Sequence, residues 1–99
     1  MEVYDKISWQ VDGGVPKEAA IAHFNFMFKW LNKKNMLSRD GKEIYEAGVD
    51  GSFSLSDNDL TEEGSRFLKE NYDKYIAKIV YGTKEDEDLL EQMYQGFKS

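Results

Sequence analysis

The sequence predicts a mainly α fold: a bundle of about four helices with a short extended N-terminal segment and at most a small β element. Three observations predict it. Three stretches carry apolar side chains at helical spacing, whereas alternation is confined to a few residues near positions 7–11 and 53–55. The third observation is size: 99 residues, 40% of them hydrophobic, suffice for one core but not two, so residues 1–99 read as a single domain.

The first segment, "YDKISWQVDGGVP", has Ile7, Trp9 and Val11 in alternation before Gly13-Gly14. It reads as an extended piece laid against the body and closed by a turn. Pro16 suits the first turn of a helix, where its missing N–H costs nothing, and Glu18 favours the helix dipole there. In the helix that follows, Ala20, Ile21, His23, Phe24, Phe26, Met27, Phe28, Trp30 and Leu31 fill an arc of about 220°. An arc that wide implies burial on two sides and a central position. Its surplus leaves Phe26 and Trp30 as a candidate homodimer contact.

"SRDGKEIYEAG" predicts a shorter helix capped by Ser38 and stopped by Gly48, with Ile44 and Tyr45 inward. The Ser, Asp and Asn cluster after Gly51 marks irregular structure, with Phe53 and Leu55 in one short edge strand. A third helix is expected from Thr61 to Tyr81, with Leu68, Tyr72, Tyr75, Ile76 and Ile79 on one face and Gly82 ending it. Phe67 lies off that face, so it either meets a second neighbour or stays exposed. Thr83, with Asp86 three residues later, starts a last helix striped by Leu89, Leu90, Met93, Tyr94 and Phe97.

Charge is distributed unevenly. The net charge is −6, yet residues 1–39 hold four acids and six bases, a balance of +2. Residues 40–63 hold eight acids and only Lys42, a balance of −7. Such a surface repels nucleic acid and speeds encounter with a basic partner.

Several chemistries are excluded by their missing parts. No cysteine is present, which removes disulfides, CxxC redox motifs and thiolate metal sites. His23 is the lone histidine and falls inside the apolar arc, so it reads as a buried, hydrogen-bonded imidazole rather than a ligand or base. An EF-hand started at Asp50 or Asp57 would put Leu55 or Glu62 where the turn demands glycine. Neither GxGxxG, a P-loop nor GxSxG occurs. The expectation is a non-enzyme without cofactor or metal. No run approaches the roughly 18 apolar residues of a membrane span. The N-terminus lacks the basic and apolar regions of an export signal, so the expected location is the cytoplasm.

"SFSLSDNDLTEEGSRFL" suggests the hairpin and following helix of a winged-helix protein. A DNA reader needs a basic face, and this is the most acidic part of the chain, so only a reuse of that shape for protein contact stands.

Three motifs occur in order: Tyr4-Asp5-Lys6-x-x-Trp9 closed by Pro16, His23-x-x-x-Met27-x-x-Trp30, and Asp59-Leu60-Thr61-Glu62-Glu63-Gly64-x-x-Phe67 followed by Tyr72-x-x-Tyr75. Together, over roughly residues 4 to 76, they resemble a family of small bacterial proteins encoded beside polymorphic or contact-dependent toxin genes and presumed to be their immunity proteins. Members often carry histidine after the tryptophan, where this chain has Gln10. The resemblance implies neutralisation of a cognate toxin by direct binding, with the toxin basic and nuclease-like if the acidic segment makes the contact. The alternative is another interaction module, such as an adaptor or antirepressor.

The contact residues expected on that reading are Asp50, Asp57, Asp59, Glu62 and Glu63, with Phe53 as aromatic anchor, since interface energy concentrates in buried aromatics. A second candidate patch is Glu85, Asp86, Glu87 and Asp88. Trp9, His23, Trp30, Phe67 and Tyr72 are assigned to the core.

Overall fold

The aromatic helix lies at the centre of the molecule because two of its faces find partners. The computed structural model describes residues 2–79 and 84–98. In order, the elements are β1 (Val3–Lys6), α1 (Ile7–Asp12), α2 (Lys17–Lys33), α3 (Arg39–Ala47), β2 (Ser54–Ser56), a 3-10 turn (Asp57–Asp59), α4 (Glu62–Ile76) and α5 (Lys84–Lys98). One side of α2 meets the loop before β2: Phe24 and Phe28 set their rings edge-on to Phe53 at 5.1 and 5.2 Å. The other side carries Trp30, which packs on Phe67 and Tyr94 at 5.5 and 5.7 Å. Of the two residues expected at a dimer contact, Trp30 is 3% exposed and lies beneath α5, while Phe26 is partly buried.

The N-terminal segment differs from the expected extended run. The strand is upstream, at Val3–Lys6, and residues 7–12 form a helix. Ile7 and Gln10, three apart, point inward, while Trp9 and Val11 point out and are 51% and 41% exposed. The alternation misled because only Ile7 of its three members is core. Trp9 therefore leaves the list of core residues; Lys6 Nζ lies 5.3 Å from its ring centre.

β1 pairs antiparallel with β2, matching Asp5 with Leu55 and Lys6 with Ser54, with an irregularity between Val3 and Asp5. The Ile7 N–H extends the seam to the Phe53 carbonyl at 3.1 Å. The partner of β2 is the N-terminal strand, not a neighbour in sequence, so the hairpin of a winged helix is not formed.

Ser38 caps α3 as expected, its Oγ accepting from the Gly41 N–H at 3.1 Å. Gly41 matters for another reason: a Cβ there would sit 2.1 Å from the Asp59 carbonyl oxygen. Only glycine lets α3 approach the 3-10 turn so closely. Thr61 caps α4 through the Gly64 N–H at 3.2 Å.

α4 stops at Ile76, earlier than the apolar pattern suggested. The Lys78 N–H bonds back to Tyr75, three residues away, which tightens the chain out of the α ladder although Ile79 still packs on the core. The expected stop at Gly82 and cap at Thr83 lie outside the described residues. Phe67 has the second neighbour: it is fully buried, with Trp30, Tyr94 and Phe97 around it. Among the described residues, three ion pairs join α5 to the rest of the chain, Lys34–Glu91 at 2.8 Å, Lys98–Glu63 at 2.9 Å and Lys33–Glu87 at 3.7 Å.

Candidate functional site

Two polar arrangements stand out, one buried and one open. The buried one joins β1, α1, α2 and α4. Asp5 Oδ2 accepts from the Tyr72 hydroxyl at 2.5 Å and from Gln10 Nε2 at 2.7 Å, while Oδ1 accepts from the Lys6 N–H at 2.8 Å. His23 Nε2 lies 3.2 Å from the Tyr72 oxygen. Because Tyr72 gives its single hydrogen to Asp5, His23 must donate to Tyr72, which fixes the proton on Nε2. Burial pushes the imidazole down to about 4, against the opposing charges of Asp5 and Asp86, so it is neutral at pH 7. Gln10 thus supplies a buried N–H to the Asp5 carboxylate. This arrangement ties elements together, and none of its four side chains lines the open groove between α3 and residues 48–58.

The open arrangement is a groove of about 650 Å³ between α3 and the chain from Gly48 to Asn58. Its α3 wall is made by Asp40, Glu43, Ile44 and Ala47. These lie at i, i+3, i+4 and i+7, so one helical face carries both the acids and the apolar contacts. Asp50 stands opposite, and Phe53 lies at the inner side, 8% exposed. Asp50 Oδ1 accepts from the Ser52 hydroxyl and N–H at 2.7 and 2.8 Å, and the hydroxyl bond is the chief cause holding its carboxyl below the usual range. Asp40 Oδ2 accepts from Asn58 Nδ2 at 3.1 Å. Among the described residues, Asp40, Glu43 and Asp50 form no ion pair. Lys17 acts on Asp50 through space without pairing with it.

The residues expected at the contact thus separate. Asp50 and Phe53 line the groove, although Phe53 is floor and core rather than a projecting anchor. Asp59 is a correction: it is 4% exposed, and its Oδ2 accepts from the Ser56 N–H at 3.0 Å to close the 3-10 turn. Burial raises its pKa, as does the charge of Asp40. Asp57 is committed to the Tyr4 hydroxyl and the Glu2 N–H, and the Tyr4 bond holds its carboxyl below the usual range. Glu62 is exposed, and Glu63 pairs with Lys98.

No protein-family model matches the chain, and neither does any curated protein or solved structure.

The second patch is also divided. Asp86 is 2% exposed, turned inward where its charge acts on His23, and so is not a surface contact. Glu87 pairs with Lys33 at 3.7 Å and Asp88 is exposed, while the side chain of Glu85 lies outside the description. Sequence reasoning counted Asp40 and Glu43 in the acidic balance but did not place them in the site. Their helical spacing with Ile44 and Ala47 was the available signal.

Proposed function

We propose that this chain binds and neutralises a cognate bacterial toxin domain through its acidic face. The observation that carries the reading is the gathering of Asp40, Glu43 and Asp50 around one groove with no ion pair among the described residues. Carboxylates left in this state attract a basic protein, raise its association rate and impose orientation on the encounter. The ordered motifs from Tyr4 to Tyr75 support the same reading by their resemblance to presumed immunity proteins. On this reading the protein acts in the cytoplasm by occupation of a surface, with no bond made or broken and no cofactor. Its partner is a basic, nucleic-acid-directed domain, while nucleic acid and membrane are not partners.

The test is co-expression with the toxin domain encoded beside it. Restored growth and a complex that survives purification are expected, with association slower at about 500 mM than at about 100 mM salt, because screening shortens the reach of the acidic face. Failure to protect against, or bind, any neighbouring gene product overturns the proposal.

A further inference from the structure

We infer that the groove between α3 and residues 48–58 receives an arginine-bearing segment of the protein partner; this rests on the toxin-binding reading and adds the chemistry of the contact. Three observations combine. Asp40, Glu43 and Asp50 occupy both walls of the groove, so their charges converge on one volume instead of spreading over a convex surface. They make no ion pair with lysine or arginine of this chain among the described residues. Between them lie Ile44, Ala47 and Phe53, which give the groove an apolar lining.

An occupant that satisfies all three must be cationic at its tip and apolar along its stem. Arginine fits best. Its planar guanidinium can bridge two carboxylates with paired hydrogen bonds, and it is more weakly hydrated than an ammonium group, so it enters a partly apolar groove at lower cost. Its methylene stem covers apolar surface while the charged head remains with the acids. The groove's volume of about 650 Å³ exceeds that of one side chain, which leaves room for the apolar neighbours of the arginine against Ile44 and Phe53. Asp50 is prepared for this: both hydrogen bonds from Ser52 fall on Oδ1, so Oδ2 is the oxygen offered to the partner.

The experiment is an amide NMR titration of the intact protein with acetyl-Leu-Arg-Leu-Arg-Leu-amide and with the same peptide carrying citrulline, neutral and nearly isosteric, at both arginines. Saturable shifts confined to residues 40–58 are expected, with affinity at least about tenfold lower for the citrulline peptide and for the Glu43→Gln/Asp50→Asn variant. The Glu62→Gln/Asp88→Asn variant, altered outside the groove, should bind as the parent does, and each variant's dispersed spectrum reports that it is folded. Equal binding of the citrulline peptide, or shifts spread equally over Glu62 and Asp88, overturns the proposal. A toxin complex unaffected by Glu43→Gln/Asp50→Asn also overturns it while the neutralising function stands. Groove-confined arginine binding without any toxin partner upholds the groove and removes the function.

Discussion

Tyr72 on α4 and Asp5 on β1, 67 positions apart in the chain, share a 2.5 Å hydrogen bond in the interior, and His23 on α2 donates to the same tyrosine oxygen. One hydroxyl thus links three elements. Tyr72→Phe removes the donor but keeps the ring, so Asp5 loses a buried partner. A loss of about 1–3 kcal/mol is expected, read by urea denaturation.

The neutral imidazole of His23 gives a pH dependence of definite sign. Its pKa falls from 6.5 in the unfolded chain to about 4 in the folded one. Between those values the unfolded state binds more protons, so stability is complete above about 6.5 and declines as pH drops toward 4. The loss is on the order of 3 kcal/mol. Asp59, whose pKa is raised, works in the opposite sense: its protonated form is favoured by folding, so its share returns as acid is added. His23→Gln should flatten the urea midpoint between pH 4 and 6.5 while leaving the more acidic limb.

Gly41→Ala should destabilise by roughly 1–3 kcal/mol, or force α3 away from the 3-10 turn, because the new methyl meets the Asp59 carbonyl rather than a side chain that could yield. The neighbouring cap offers a contrast. Ser38→Ala loses an N-cap and should cost about 1 kcal/mol without moving the helix. Paired denaturation curves and a crystal structure of the glycine variant distinguish the two effects.

The two tryptophans report opposite environments. Trp9 is 51% exposed and Trp30 only 3%. In Trp9→Phe the remaining emission should be blue-shifted and resist acrylamide; in Trp30→Phe it should be red-shifted and readily quenched. Trp9→Ser should change stability by no more than about 0.5 kcal/mol, as expected for a surface site.

Phe67→Ala should cost roughly 3–5 kcal/mol, since the ring joins Trp30 to Tyr94 and Phe97. Amide exchange in α5 should accelerate more than in α2, because α5 loses the aromatic contact that seats it.

Much of the bundle was legible because local rules and tertiary demands agree in it. Ser38 read as a cap and is one, and Thr61 read as the start of a helix and caps it; the wide apolar arc of α2 read as two-sided burial and has it. The failures have physical causes. Trp9 looked like core because it alternates with Ile7 and Val11 and belongs to the first motif, but on a six-residue helix the inward positions went to Ile7 and Gln10. Gln10 is buried because Asp5 needs a donor, and that requirement is invisible without knowing that β1 lies next to α4. Asp59 looked like surface charge in an acidic run, yet the tight turn after β2 needed an acceptor for the Ser56 N–H. The groove itself was half visible. Its acids were counted, but only folding shows that α3 turns Asp40 and Glu43 toward Asp50.

The pairing of β1 with β2 also sets an order of events during synthesis. Val3 emerges from the ribosome some 50 residues before Ser56, a delay of several seconds at about 5–20 residues per second. Until then β1 has no strand to join, and Asp5 waits longer still for Tyr72. β1 is therefore among the last of these elements to be secured although it is made before α2, α3 and β2. The nascent helices α2 and α3 must hold together without it, through local contacts that close quickly, before the long-range seam and the buried network complete the fold.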